Sequence, residues 1–151
     1  MTPFRFRLAK VLDWHQKQAH LEAERLRLAV ERAAQAKVDL ESHQRDVLKR
    51  RRDLIESPNP EVLELIALGP FLRGAKQREQ LLLQKCATTE QEAGRQRAVS
   101  LAADRRLRLF EKLRERQLAD HDYEASRELE NLASETYLAG FARNLNENSP
   151  A

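Results

Sequence analysis

A seven-residue repeat governs what this chain can become. Leu12, Ala19, Leu26, Ala33, Leu40, Val47 and Leu54 fall seven apart, and every one is apolar. A strict seven-residue period keeps one stripe against a partner helix only if the two helices wind around each other with a left-handed twist. The companion series Leu8, His15, Glu22, Ala29, Ala36, His43 and Arg50 is poorer in apolar residues. The stripe therefore has one good edge and one polar edge. On the outer faces, acids precede bases by four residues at Asp13/Lys17, Glu41/Arg45 and Asp46/Arg50, the order that supports a helix on its own.

The punctuation sets the expected boundaries. Thr2 reads as a helix cap and Pro3 as the first helical position, which predicts a first helix over 3–56. Ser57-Pro58-Asn59-Pro60 stops it, because two prolines remove two donors and disfavour helix in the residues before them. Asn59 then caps a short apolar helix through Val62, Leu63, Leu65, Ile66 and Leu68, which Gly69-Pro70 ends. The break and short helix occupy 57–69, a second long helix covers 70–143, and 144–151 form a disordered tail. Gly74, Gly94 and Gly140 lie within the second helix; each costs about 1 kcal/mol there without ending it. Its stripe is Ala75, Leu82, Cys86, Thr89, Ala93, Val99, Ala103, Leu107, Phe110 and Leu113.

A connection this short folds the second helix back along the first. The expected class is all-α: two long helices in an antiparallel left-handed coiled coil, a single domain, with a short helix in the connection. Residue 56 then faces about 72 and residue 4 about 124. The segment from Ala125 to Arg143 is left over, with Leu129, Leu132, Ala133, Thr136, Tyr137 and Phe141 at helical spacing. It frays, packs on Phe4 and Phe6 after a register shift, or is covered by another protein.

Composition agrees. Of 151 residues, 34% are charged, only 5% are aromatic, and there are four glycines and five prolines. That suits a narrow seam better than a compact core. Residues 121–151 hold two arginines against six carboxylates, so the small net positive charge resides in the rest of the chain. Basic runs at Lys49–Arg52 and from Arg105 to Arg116 fit a solvated helix face or a partner surface. Interleaved acids and the scarcity of aromatics argue against nucleic acid.

Sites for chemistry are not expected. His15, His20, His43 and His121 do not space as a ligand set, no glycine-rich phosphate loop is present, and Cys86 sits on the seam without a plausible catalytic base nearby. The expectation is a protein with no cofactor, no small-molecule substrate and no catalytic role. The single cysteine fits a reducing compartment, and Val62–Leu68 is too short to span a bilayer. A cytoplasmic location is expected.

The stretch Phe4-Arg5-Phe6-Arg7-Leu8-Ala9-Lys10-Val11-Leu12 and the polar helix after it resemble the start of the flagellar FliJ family. The run Arg105-Arg106-Leu107-Arg108-Leu109-Phe110-Glu111-Lys112-Leu113-Arg114-Glu115-Arg116, continued through Arg127-Glu128-Leu129-Glu130 to Phe141-Ala142-Arg143, resembles its second signature. The resemblance implies a component of the flagellar type III export apparatus, peripheral to the inner membrane at the flagellar base. It implies three partners: the hexameric export ATPase, whose ring the coiled coil enters as a central stalk, the membrane-embedded export gate, and export chaperones. The gate-contacting pattern maps onto Phe71, Ala75, Arg78 and Leu82. Arg78 interrupts its apolar character and Gly74 loosens the turn, which shifts the contact toward Leu72 and Leu83. The ATPase-facing residues expected from the leftover segment are Leu129, Leu132, Tyr137 and Phe141.

Three other readings share these features. One is the equivalent stalk of an injectisome, another a nucleic-acid-binding helical arm, and the third a homodimeric structural coiled coil. The helix-breaking Ser57–Pro60 favours a folded-back monomer over the last.

Overall fold

The computed structural model describes residues 3–56, 58 and 62–147, with side chains described as far as 143. Two long helices make up nearly all of it: α1, Ala9–Glu56, and α2, Val62–Glu147. No strand occurs among the described residues.

Helix α1 begins six residues later than the punctuation predicts. Pro3–Phe6 have no regular structure and Arg7-Leu8 form a turn; the expected cap, Thr2, lies outside the described residues. The physical reason is in the side-chain pattern. Phe4, Phe6 and Leu8 are half-buried while Arg5 and Arg7 are exposed. That is a period of two, which an extended segment satisfies and a helix cannot. The Ala9 amide donates to the Phe6 carbonyl at 3.2 Å, and Leu12 donates to Leu8 at 2.9 Å, opening the helix at that point.

Helix α2 begins at Val62 and continues through Gly69-Pro70, so the separate short helix and the stop at Pro70 are corrected: they are the first turns of one helix. Pro70 removes one amide donor and crowds the carbonyl of Ile66. Both residues are exposed, so water can satisfy that carbonyl. Leu68 and Phe71, on either side, are half-buried with Arg50, Asp53 and Leu54 around the same groove, which holds the helix on course. At its far end α2 runs to Glu147, past the expected 143. The rest of the predicted tail, 148–151, lies outside the described residues.

The chain divides into two compact units: residues 17–104, and residues 1–16 with 105–151. Within the first, contacts between the helices run in opposite chain order. Lys37 pairs with Glu90 at 2.6 Å and Lys85 with Asp39 at 3.2 Å. Gln44 donates to Glu79 at 2.7 Å, and Gln96 to Glu22 at 2.5 Å. His43 Nε2 donates to the Ala75 carbonyl at 2.9 Å, and the Arg50 guanidinium lies over the Phe71 ring, 5.2 Å from its centroid. In the second unit, Phe4 meets His121 edge-on with centroids 5.6 Å apart, and His15 stacks on Phe110 at 4.6 Å.

Both sequence series of α1 turn inward. Leu12, Ala19 and Ala33 of the better edge are buried, and so are Glu22 and Ala36 of the poorer one. Of the fourteen positions only Arg50 is exposed. On α2 the buried positions are Cys86, Ala93 and Ser100, with Ala75, Leu82, Thr89, Gln96, Ala103, Leu107 and Phe110 half-buried. Val99 and Leu113, expected in this stripe, are exposed; Gln96 and Ser100 occupy the seam instead. Seven-residue steps from Thr89 and Ala93 lead to Gln96 and Ser100, and the helix keeps that phase in spite of their polarity.

Candidate partner-binding surfaces

Small residues in the seam leave the large apolar ones outside. They are exposed along both helices, Trp14, Leu28, Val38 and Ile55 of α1 among them, and on the two stretches of α2 that the sequence singles out.

The first is the segment after Ala125. Leu129, Leu132, Tyr137 and Phe141, the residues expected to face the ATPase, are all more than half exposed, as is Leu138, which the sequence reading passed over. At 100° per residue, Leu129, Leu132, Ala133 and Thr136 share one face, flanked by Tyr137 and Phe141. The serine and threonine hydroxyls in this segment turn back onto the helix. Thr136 Oγ1 donates back to the Leu132 and Ala133 carbonyls, both at 2.9 Å, and Ser134 Oγ to Glu130 at 2.9 Å. Turned onto the helix, the Thr136 hydroxyl leaves its methyl to extend the apolar surface.

The second holds the expected gate contact, and here the helix divides the set. Phe71, Ala75 and Leu82 are half-buried toward α1, whereas Leu72 lies at the edge of exposure. Ala75 accepts the His43 hydrogen bond through its carbonyl, and Phe71 lies under Arg50. Leu83 is exposed on the outside, and a Cβ at Gly74 would meet nothing within 4 Å. A groove of about 680 Å³ runs here between His43, Arg50, Asp53, Phe71 and Arg78. Preceding it, Val62, Leu63, Leu65 and Ile66 project into solvent.

Electrostatics along the seam are those of solvated pairs. Asp39 is held below the usual aspartate range, first by the hydrogen bond from Gln35 and then by Lys85. Lys37 is pushed above its ordinary value by Glu90. Cys86 is buried and in no disulfide. No group of three His, Cys, Asp or Glu could hold a metal ion, and no helix is long and apolar enough to cross a membrane, among the described residues. No family model, no curated protein and no solved structure matches the chain.

Proposed function

We propose that the chain is a non-enzymatic, antiparallel left-handed coiled coil of the flagellar type III export apparatus. In this reading it is the central stalk of the hexameric export ATPase and the docking factor for the export gate and export chaperones. The observation that carries the reading is the apolar face of Leu129, Leu132, Tyr137 and Phe141, exposed on a continuous helix. Such a face is a socket contact without an intramolecular cover. The opposed order of the helix contacts and the seven-residue seam support the coiled coil. The resemblance of Phe4–Leu12 and Arg105–Arg116 to the FliJ family supports the choice of partner.

A stalk that shifts in its socket is gripped modestly, so single alanine substitutions at these four positions cost about 1 kcal/mol each in binding. The decisive experiment is truncation after Asp122, followed by assay of ATP hydrolysis with the export ATPase of the same organism. The expected protein is folded, soluble and unable to stimulate hydrolysis. Full stimulation by the truncated protein would refute the placement of the socket end.

A further inference from the structure

The first turns of α2 are apolar on nearly every side, and no described residue covers them. Val62, Leu63 and Ile66 are each more than 70% exposed, with Leu65 at 51%. On α1, Leu48 and Ile55 are exposed within the same unit, one heptad apart and so on one face, with Arg51 and Arg52 between them. A helix hydrophobic all round belongs in a protein core or in lipid.

The charges beside this patch choose between them. Lys49, Arg50, Arg51, Arg52 and Arg73 flank it in sequence, against Asp53, Glu56, Glu61 and Glu64. None of these bases enters an ion pair among the described residues. Arg73 stands on the outward face of α2 with Val62 and Ile66, at spacings of four and seven residues. Apolar side chains that insert, ringed by long cationic side chains that reach back to headgroups, are the arrangement of an interfacial anchor.

We propose that residues 48–56 and 62–73 form a peripheral docking surface for an anionic phospholipid bilayer. Val62, Leu63 and Ile66 enter the acyl boundary, and Arg51, Arg52 and Arg73 meet the phosphates. The surface is built from the unit of residues 17–104 and uses none of the residues assigned to the ATPase, so it stands or falls independently of the stalk reading.

The test uses the full chain and vesicles of phosphatidylcholine with or without phosphatidylglycerol. A reporter, Leu63→Trp in a Trp14→Phe background, reads insertion by a blue shift of its emission. The shift is expected with phosphatidylglycerol vesicles and absent with phosphatidylcholine alone. It disappears at high salt, because exposed charges are screened. A Leu129→Trp reporter in the same background shows no shift. Replacing Arg51, Arg52 and Arg73 together by Gln lowers vesicle partitioning about a hundredfold, and Leu63→Asp with Ile66→Asp abolishes insertion. These side chains are exposed, so helix content is expected to hold; if the double aspartate variant loses helix, the Leu63→Trp emission decides. No shift at residue 63 on phosphatidylglycerol vesicles overturns the proposal. So does vesicle binding that survives the aspartate pair in a folded protein, or a shift at residue 63 produced by a soluble export protein and not by lipid.

Discussion

Glu22 sits in the seam where an apolar residue is expected, and the sequence alone makes Glu22→Ala near neutral or stabilising. The structure gives Glu22 partners that the sequence did not show. Glu22 is 9% exposed, and its carboxylate accepts from Gln96 Nε2 at 2.5 Å and from Arg25 at 2.7 Å. A hydrogen bond to a charged group contributes about 1.5–3 kcal/mol. The exposed side of the Arg25 pair adds no more than about 0.5 kcal/mol. Against this stand the cost of taking the carboxylate out of water, several kcal/mol for a buried ion, and a few tenths of a kcal/mol from the better helix propensity of alanine. The two sides nearly cancel, so Glu22→Ala is expected within about 1 kcal/mol of neutral. Gln96→Ala costs more, about 2 kcal/mol, because it leaves the buried carboxylate without its cross-helix donor. The double variant costs less than the two added together, with a coupling of about 1.5 kcal/mol. Urea unfolding followed by far-ultraviolet circular dichroism measures all four proteins. A coupling below about 0.3 kcal/mol, within the additivity seen for independent sites, would refute the claim that this pair pins the two helices.

Three further outcomes are expected. Gly94 is helical and a Cβ there meets nothing within 4 Å, so Gly94→Ala raises stability by about 1 kcal/mol in the same urea titration. Asp39 titrates below the ordinary aspartate range in carboxyl-detected NMR, and Gln35→Ala moves it back up, since the Gln35 hydrogen bond is the first cause of the shift. The stabilisation from Asp39 is accordingly present above its unfolded value and lost as pH falls through the depressed folded one. Phe71 is half-buried under Arg50, so Phe71→Ala lowers stability by about 2 kcal/mol, roughly half the cost at a fully buried site; an unchanged melt would place the ring outside the packing.

Periodicity was legible where it was long. Both seven-residue series of α1 face inward because fourteen positions in phase outweigh the polarity of any one, His15, Glu22 and His43 included. The same rule applied to α2 points to Gln96 and Ser100; hydropathy drew the stripe to Val99 instead. A seam of alanines leaves room for polar side chains that bond across it, and hydropathy cannot see the partner. At the N-terminus, Phe4-Arg5-Phe6-Arg7 carries its own period of two, which a reading anchored on Thr2-Pro3 overrode. Gly69-Pro70 read as a stop because local propensity favours one there; Leu68 and Phe71, packed beside α1, supply the tertiary contact that local rules omit. The candidate surfaces follow from the same physics. Leu129, Leu132, Tyr137 and Phe141 stood out because their spacing left them without a partner, whereas exposure at Val62–Ile66 follows from Leu68 and Phe71 being the half-buried residues of the first turns of α2.

Leu12 is the only large aliphatic side chain among the buried apolar residues described; the others are Ala19, Ala33, Ala36, Cys86 and Ala93. Each alanine methyl contributes about 0.8 kcal/mol on burial, so the pairing of helices leaves much of the apolar stabilisation unrealised on the outside. Any ligand that covers those outer residues in the folded state alone stabilises it, by about 2.7 kcal/mol at a hundredfold excess over its dissociation constant. For a chain of this length that is roughly 5–11 °C in melting temperature. The gain is also local. With the export ATPase, amide hydrogen exchange should slow across 125–143 and leave 62–73 unchanged; with phosphatidylglycerol vesicles the pattern should invert. Protection of 62–73 by the ATPase, with 125–143 exchanging as in the free protein, would refute the assignment of 125–143 to the ATPase; absence of protection at 62–73 on the vesicles would separately refute the lipid surface.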